Sequence, residues 1–335
     1  MNSNEEIAEL ARKYLKNYDD MNPLEQKSLI NDVIESKEIY GFLDYDEYFK
    51  FRFYEKNYEL RKTFFGLKEY KALVSTSHND VADRRKELNN KFNIYCYLKE
   101  FYKRDVIKIE SFDDYTDFVN FCQRNPEFFI KEVYGSLGSN ISKVKVNTNS
   151  IKNEFFLALQ RGECICEGII KQADVMAQFN PDSVNTIRIA TFFDDGVVNK
   201  LYGMFRTGRC GNIVDNASKG GIAAGIDLNN GIVFSNGYTI NDEEYERHPD
   251  TNVRFKGFKI PKWDEVFPLI EKMHKAYPGF KMIGWDLAFT DDGWVVVETN
   301  SRPNIYTIQI IYNRTYGHGL KDVIMQPLEK YKNQQ

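Results

Sequence analysis

The feature that most constrains this chain is a pair of strand-like runs at residues 283–303, joined by a turn that ends in glycine. The runs read Ile-Gly-Trp-Asp-Leu-Ala-Phe-Thr and Trp-Val-Val-Val-Glu-Thr-Asn-Ser-Arg-Pro, with Asp-Asp-Gly between them. This pattern predicts a β-hairpin with a three-residue loop, in which Thr290 pairs with Trp294. The same register puts Asp286 directly opposite Glu298, and directly opposed residues have Cβ atoms roughly 4.5–5.5 Å apart.

Two carboxylates that face each other across a hairpin repel, and a sheet that keeps them usually has a cation between them. Asn300 lies two residues beyond Glu298, on the same face of the sheet. Together with Asp286 these residues offer three hard oxygen ligands, which suit Mg²⁺. No cysteine or histidine joins them, which argues against zinc or copper. The alternative at this point is a solvated hairpin edge with ordinary charges.

The bulk properties of the chain exclude several classes of protein. Its 335 residues are enough for two or three domains, and its net charge of −4 gives no indication of a nucleic-acid or membrane surface. No apolar run has the length of a membrane span, and the N-terminus lacks the basic and apolar regions of a signal peptide. The five cysteines have no zinc or disulfide spacing, so we expect reduced, mostly buried thiols in a cytoplasmic protein.

The first 85 residues are predicted to be helical. Apolar residues recur at helical spacing from Glu5 to Tyr18, Asn22-Pro23 is typical of a helix start, and a third helix is predicted over 45–65. The region has no glycine-rich βαβ fingerprint, which argues against a dinucleotide-binding domain. Its many aromatic side chains are interpreted as core and packing surface.

After residue 86 the pattern changes to alternating helices and strands, and it becomes strand-rich after residue 171. Helices are predicted over 84–102, 113–124, 151–160, 263–277 and 320–331. Strands are predicted over 106–109, 128–133, 141–146, 164–170, 186–193, 197–206, 225–228 and 232–235. Hairpins with interspersed helices predict an α+β fold with mainly antiparallel sheets, divided into residues 1–85, 86–170 and 171–335.

A lysine next to a small-residue loop is a candidate phosphate ligand. Lys131 ends a strand just before residues 135–140, a loop that contains two glycines and two serines. Backbone N–H groups of such a loop can approach a phosphate closely, and a lysine at its edge adds a mobile positive charge. The P-loop pattern is missing, and a glycine-rich turn taken alone is more often only a turn.

Other cations could converge on the acidic hairpin. Lys91 precedes a helix, Lys219 lies in a second small-residue segment, Arg188 lies within an apolar strand, and Arg302 follows the hairpin directly. A metal held between carboxylates and phosphates, with lysine and arginine neutralising the developing charge, meets the requirements of phosphoryl transfer. Other chemistries have less support, since the histidines have no metal-ligand spacing and Cys166 is interpreted as a core residue.

The order of these features resembles the ATP-grasp superfamily, and within it the sugar-transfer-associated ATP-grasp group found near polysaccharide biosynthesis genes. The resemblance covers about residues 86–305 and rests on Phe-Phe-Ile-Lys131, Glu167-Gly-Ile-Ile-Lys-Gln172, Ser183-Val-Asn-Thr-Ile-Arg188, Gly220-Gly221-Ile222, Gly284-Trp-Asp286 and Glu298-Thr-Asn300. It implies the ATP-grasp fold, in which two α+β subdomains with mainly antiparallel sheets clamp ATP. Here a helical N-terminal region precedes that fold.

The resemblance also implies residues for binding ATP. Lys91 and Lys131 would contact the phosphates. The loop that closes over the phosphates would be Ser136, Leu137, Gly138 and Ser139. The hinge that hydrogen-bonds adenine would be Glu167, Gly168, Ile169 and Ile170. Asp174 would bind the ribose, and Gln172 competes for that role.

The remaining roles implied by the resemblance concern the metal and the reacting groups. One or two Mg²⁺ ions would be held by Asp286, Glu298 and Asn300, with Glu298 bridging. The γ-phosphate and an acyl-phosphate intermediate would be steadied by the catalytic residues Arg188, Lys219 and Arg302.

The implied activity is an ATP-dependent carboxylate–amine ligase that joins an amino acid or amine to a sugar acid of a surface polysaccharide, such as a capsule or O-antigen. Its partners would be a carboxylate and an amine, and they could include other polysaccharide-biosynthesis enzymes. Other ATP-grasp ligases begin with an α/β domain that helps to bind substrate, so the helical region here leaves substrate identity open. We expect the N-terminal helices to shape the acceptor pocket.

Two alternatives stay open. One is a kinase of a sugar or small molecule, with Asp215 or Asp227 as candidate general bases. The other is a non-catalytic nucleotide-binding partner of a glycosyltransferase.

Overall fold

The computed structural model describes residues 2–135, 141–194, 196–211, 220–277 and 279–332. The predicted phosphate loop and one predicted catalytic lysine lie outside the described residues; they are Ser136, Leu137, Gly138, Ser139 and Lys219.

The N-terminal region is helical, as predicted. Its helices are α1 Ser3–Tyr14, α2 Pro23–Tyr40, α3 Asp46–Lys50, α4 Tyr58–Arg61, α5 Leu67–Thr76 and α6 Arg85–Leu88, with 3-10 turns at Tyr18–Asp20, Phe53–Glu55 and Asn79–Arg84. Helix α2 begins at the predicted place, because Asn22 caps two backbone N–H groups of the first turn. The single helix predicted over 45–65 is wrong. Arg52 adopts a left-handed conformation with φ 53°, and Asn57 starts a separate short helix.

The rest of the chain alternates helices with strands. The helices are α7 Lys91–Tyr102, α8 Tyr115–Arg124, α9 Ile151–Gln160, α10 Asp174–Ala177, α11 Trp263–Ala276, α12 Tyr306–Tyr316 and α13 Lys321–Lys332, with a 3-10 turn at Phe112–Asp114. The helix predicted over 84–102 is divided, because Asn90 caps α7 by accepting from the N–H groups of Phe92 and Asn93 at 3.0 and 3.1 Å.

The strands are β1 Val106–Ile109, β2 Glu127–Glu132, β3 Ser142–Lys145, β4 Cys164–Gly168, β5 Thr186–Asp194, β6 Val197–Thr207, β7 Ile222–Gly225, β8 Gly237–Tyr238, β9 Glu244–Tyr245, β10 Met282–Thr290 and β11 Gly293–Asn300. Most lie within a few residues of the predicted bounds. The hairpin predicted at 225–228 and 232–235 is present but shorter than predicted: Ile226 and Val233 form one antiparallel bridge, and Phe234 donates a backbone hydrogen bond of 2.9 Å to the carbonyl of Gly225.

Within the described residues the strands form two antiparallel sheets, which confirms the predicted α+β class. The smaller sheet has the order β1-β4-β2-β3 and the larger one the order β11-β10-β5-β6-β7-β8-β9. Aromatic side chains of α8 and α9, such as Phe118 and Phe155, cover the smaller sheet and share its core with Cys166. The division into residues 1–85, 86–170 and 171–335 stays a prediction.

The N-terminal helices pack on the larger sheet. Phe49, Phe51 and Phe53 are buried in one core with Tyr202 of β6 and the apolar face of α12. Gln309 of α12 exchanges two hydrogen bonds of 2.9 Å with the backbone of Phe65. The aromatic residues of this region are therefore core, as the sequence indicates.

The acidic hairpin, β10–β11, has the predicted pairing at the end that carries its two carboxylates but a different loop. Thr290 pairs with Gly293, so the loop has two residues and the predicted pairing of Thr290 with Trp294 is wrong. A bulge at Val297 then shifts the register by one residue, and beyond it Asp286 stands opposite Glu298, as predicted.

All five cysteines are free, and three of them are buried, namely Cys122, Cys164 and Cys166. Cys96 and Cys210 are exposed. In the part of the chain that the structure describes, no helix combines the length and the apolar character required to cross a bilayer.

A buried histidine on α11 links this helix to the larger sheet. Nε2 of His274 lies 2.8 Å from Oγ1 of Thr191 and 3.3 Å from the indole nitrogen of Trp285. The indole N–H of Trp285 also lies 3.0 Å from Oγ1 of Thr191, so the three side chains form one buried hydrogen-bond network. Burial lowers the pKa of His274 to about 3.

The free energy of unfolding should therefore fall as the pH is lowered from about 6.5 toward 3. The pKa is lower in the folded than in the unfolded chain, so the unfolded chain binds this proton first. At pH 5 the loss should be about 1–2 kcal/mol, since each pKa unit corresponds to about 1.4 kcal/mol. Urea unfolding of wild type and His274→Gln at pH 7 and pH 5 tests this. Equal pH dependence in both proteins would show that another group is responsible.

Candidate active site

Two cavities meet at the acidic hairpin. The smaller cavity, of about 390 Å³, is lined by residues 167–172 and 181–184 and by strand β2. The larger cavity, of about 780 Å³, lies between the N-terminal helices and the end of β11. Among the described residues, five line both cavities, and we call them the shared wall: Lys131, Glu167, Arg206, Val297 and Glu298.

Asp286 is buried beside the shared wall and is bound by two arginines. Arg188 stands directly opposite it on β5, and its Nε and Nη2 donate to the two carboxylate oxygens at 2.6 Å each. Arg206 of β6 donates to Oδ2 at 2.8 Å. Burial alone would raise the pKa of Asp286, but the two guanidinium groups outweigh it and hold the pKa at about 2. This carboxylate is therefore ionised at any physiological pH.

Glu298 is the open carboxylate of the pair. Its side chain is 48% exposed, and Nη2 of Arg188 lies 3.7 Å away. The amide nitrogen of Asn300 lies 3.3 Å from Oε1 of Glu298 and 3.4 Å from Oδ2 of Asp286. The surrounding protein and the charge of Asp286 raise the pKa of Glu298. A cation at this point would relieve that repulsion.

The donor set suits Mg²⁺ better than a metal that needs a complete protein cage. Among the described residues, no three aspartate, glutamate, histidine or cysteine side chains form a metal cluster. Mg²⁺ is commonly bound through one or two carboxylates, with substrate phosphates and water completing the shell. Glu298, one oxygen of Asp286 and the amide oxygen of Asn300 could hold such an ion, after a half-turn of the amide.

Glu167 is buried on β4 between two cations. Nε of Arg104 donates to Oε1 at 2.5 Å, and Nζ of Lys131 donates to Oε2. Burial alone would raise the pKa of Glu167, but the two cations hold it at about 2. Arg104 also donates to the carbonyl of Val296 at 2.5 Å, which ties the small sheet to the acidic hairpin. The Glu167 carboxylate thus positions Lys131 and is itself already paired with two cations.

Breaking the Arg104–Glu167 pair should destabilise the protein strongly. Both side chains are nearly inaccessible, at 6% and 4% exposed, and removing one partner of a buried pair costs about 3–5 kcal/mol. We expect Arg104→Leu to lose about that much in urea unfolding, and Arg104→Leu/Glu167→Leu to recover part of it. A loss below about 1 kcal/mol in the single variant would contradict the role given to this pair.

Lys91 ties the start of α7 to the end of β2. Its Nζ donates to the carbonyls of Glu132 and Gly135 at 3.1 and 2.9 Å, and it lines the larger cavity. It makes no ion pair within the described ranges, and burial lowers its pKa. Its positive charge is therefore available to an anion in the cavity.

The sequence of the chain matches the family described as sugar-transfer associated ATP-grasp over residues 92–325. The chain belongs to this ATP-grasp family. The two antiparallel sheets, with cavities between them and the paired carboxylates on the larger sheet, form the ATP-grasp fold of this protein.

Solved structures give distant matches. The VanG D-Ala:D-Ser ligase from Enterococcus faecalis is 13% identical with a TM-score of 0.47, and the match covers 73% of this chain and 62% of that chain. For D-alanyl-alanine synthetase A from Vibrio cholerae the values are 11%, 0.43, 72% and 63%. For N5-carboxyaminoimidazole synthetase from Staphylococcus aureus they are 12%, 0.40, 65% and 46%. This ATP-grasp protein therefore spans less than two thirds of each of them. A comparison with curated proteins gives no match.

The two residues predicted for the ribose differ in position. Gln172 lines the smaller cavity, but its amide donates to the carbonyls of Asn180 and Ser183 at 3.0 and 2.7 Å and accepts from Asn185. Asp174 is exposed at the start of α10 and is absent from the lining of either cavity. Asp182 does line the smaller cavity and was missed. The ribose role stays a prediction.

Several cations of this ATP-grasp protein were not predicted. Arg206 lies on the same sheet face as Arg188, and continuing the predicted hairpin from 186–193 to 197–206 could have found it. Arg104 had no signal in the sequence, since it reaches Glu167 across 63 residues. Lys71 and Arg85 also line the larger cavity, although both belong to the N-terminal region.

Proposed function

We propose that this protein is an ATP- and Mg²⁺-dependent carboxylate–amine ligase that works through an acyl phosphate. The observation that carries the proposal is the shared wall. Lys131, Arg206 and Glu298 face both cavities, so a nucleotide in one cavity and an acceptor in the other would meet there. Phosphoryl transfer depends mainly on such positioning and on charge neutralisation.

The smaller cavity is the proposed nucleotide site. Adenine would lie along residues 167–170, which border the cavity, and the phosphates would point toward Lys131 and Lys91. The loop of Ser136, Leu137, Gly138 and Ser139 remains the predicted cover of the phosphates. One or two Mg²⁺ ions, when bound by Glu298 and its neighbours, would neutralise charge on the transferring phosphoryl group.

The proposed reaction has two chemical steps, and side chains of the protein position the reacting groups for both. In the first step an oxygen of the substrate carboxylate attacks the γ-phosphorus, and the bond to the leaving ADP breaks. In the second step the amine attacks the acyl carbon, loses a proton and expels inorganic phosphate. Arg206 and Lys131 stand at the wall where negative charge builds up, and Arg188 holds Asp286 in place by two hydrogen bonds.

A kinase would need a general base close to its acceptor. Of the described side chains lining the larger cavity, Glu167 is already bound by two cations and Glu298 belongs to the metal set, and none is a histidine. Asp227 accepts hydrogen bonds within its own turn and borders neither cavity, and Asp215 lies outside the described residues. These observations favour the ligase over the kinase. The opposed carboxylates beside an open cavity likewise favour catalysis over a non-catalytic partner.

The proposed acceptor is a sugar acid of a surface polysaccharide, joined to an amino acid or other amine in the cytoplasm, with other polysaccharide-biosynthesis enzymes as partners. This setting is supported by the description of the family as associated with sugar transfer. It rests on analogy and on no individual residue.

The proposal is tested by phosphate release from ATP with a panel of uronic acids, with hydroxylamine as the amine. A ligase should form a hydroxamate together with phosphate, in amounts that depend on both the acid and hydroxylamine. The matched variant Lys131→Ala should form neither. Phosphorylation of a hydroxyl group without hydroxamate and without dependence on the amine would contradict the proposal and support a kinase.

A further inference from the structure

The larger cavity carries more positive charge than the shared wall supplies. Lys71 on α5, Arg85 at the start of α6 and Arg302 just after β11 also line it. We call these three residues the outer cations. They come from three separate segments, so their convergence on one cavity is a product of the fold.

Within the part of the chain that the structure describes, the outer cations make no ion pair. Nε of Arg85 is buried and makes no hydrogen bond. Neither Lys71 nor Arg302 makes an ion pair or side-chain hydrogen bond within the described ranges. By contrast, Arg188 and Arg206 of the reaction centre are both bound to Asp286. A buried donor without a partner is costly, which is a reason to expect a ligand atom at that position.

Acidic side chains do not compensate for the outer cations. The described acidic residues that line this cavity, Glu167 and Glu298, both belong to the shared wall. Glu167 is already neutralised by Arg104 and Lys131. The outer part of the cavity is therefore positive, and arginine in particular binds phosphate and carboxylate with two parallel hydrogen bonds.

The cavity also has room and a fixed wall. At about 780 Å³ it is twice the size of the nucleotide cavity and lies within the range of sites for drug-sized ligands. Ser301 donates to Asn89 at 2.7 Å, which fixes the junction between α6 and α7 to the end of the acidic hairpin. A substrate larger than one sugar ring could therefore reach from the shared wall to the outer cations.

We infer that the carboxylate substrate carries a second anionic group, either a phosphate ester or a further carboxylate, which the outer cations bind while the reacting carboxylate lies at the shared wall. This inference rests on the proposed function and narrows its substrate class. The second anion would hold the acceptor at one end and orient it for attack on the γ-phosphate.

Calorimetry with paired probes tests the inference, both with and without AMP-PNP and Mg²⁺. The phosphate pair is glucose 1-phosphate against glucose, and the carboxylate pair is digalacturonate against galacturonate. In at least one pair the more anionic probe should bind at least 10-fold more tightly to wild type, and the pair that shows it identifies the anion. The double variant Lys71→Gln/Arg85→Gln should lose this preference. Arg302→Gln, a separate variant at an exposed position, should lose it as well. Lys68→Gln, three residues away on the same helix and outside the cavity lining, is the matched control that should keep it.

Equal binding within both pairs would overturn the inference, and so would a preference that survives in Lys71→Gln/Arg85→Gln and in Arg302→Gln. Thermal melting of each variant separates loss of the anion site from loss of the fold. The proposed function fails separately, if AMP-PNP with Mg²⁺ does not bind. In that case the anion preference is still measured without nucleotide.

Discussion

Replacing Glu298 by glutamine is expected to lower Mg²⁺-dependent ATP turnover by on the order of 10²–10³-fold, the size of effect seen when one charge-stabilising group is removed from an active site. The side chain lies on the shared wall and is the half-exposed member of the carboxylate pair. Glutamine keeps the shape but cannot supply the negative charge that binds the metal. Because Asp286 then loses a repulsive neighbour, the variant should melt no lower than wild type.

The matched control is Glu265→Gln, because Glu265 has nearly the same exposure as Glu298, at 49%, but lies on α11 in a surface ion pair with Lys262. It should keep full turnover. The measurement is phosphate release over a range of Mg²⁺ concentrations for all three proteins. Turnover within a factor of three of wild type in Glu298→Gln would remove this carboxylate from the metal site.

Deleting residues 1–80 is expected to abolish turnover and to leave little folded protein. The deleted region contributes Phe49, Phe51, Phe53, Phe64 and Phe65, all nearly inaccessible, to the core beneath α12 and the larger sheet. Burying one such side chain contributes about 1.5–3 kcal/mol, so five contribute about 7.5–15 kcal/mol, which is comparable to the whole of the roughly 5–15 kcal/mol by which a typical domain is stable. Circular dichroism and gel filtration measure the folded fraction, and phosphate release measures turnover.

A point variant separates the contribution of the N-terminal helices to the core from their contribution to the larger cavity. Lys71→Gln removes the positive charge that residues 1–80 contribute to the larger cavity and leaves the aromatic core intact. It should fold like wild type and weaken acceptor binding alone. Full activity of a folded truncated protein would show that the N-terminal helices neither complete the core nor shape the acceptor cavity.

The acidic hairpin illustrates how far sequence reasoning reaches. Alternation and a turn with glycine were enough to predict that Asp286 faces Glu298. The loop is one residue shorter than predicted, and the bulge at Val297 restores the register. The predicted pairing of Asp286 with Glu298 is correct because the shorter loop and the bulge compensate for each other. A bulge has no reliable signature in a single sequence, so this compensation could not have been predicted.

The helix predicted over 45–65 failed for a physical reason that periodicity does not reveal. This segment has no proline or glycine to mark a break. Its aromatic side chains are instead buried from several directions against the sheet and α12, and the backbone turns at Arg52 to allow it. Tertiary packing overrode local helix preference.

The charge partners of the site could not be predicted at all. Arg188 reaches Asp286 across 98 residues, and Arg104 reaches Glu167 across 63. The residue types and the family resemblance identified Arg188, Asp286 and Glu167 but missed Arg104, and which cation meets which carboxylate depends on the order of strands in the sheets. The roles of the individual site residues therefore stay predictions until they are measured.

Calorimetric titration of wild type with AMP-PNP, with and without Mg²⁺, tests the central claim most directly, because every proposed step begins with a nucleotide at the shared wall. We predict binding of one nucleotide per chain, with an affinity that rises when Mg²⁺ is present. Absence of binding under both conditions would contradict the proposed ligase and the kinase alike, and would leave only a shared fold.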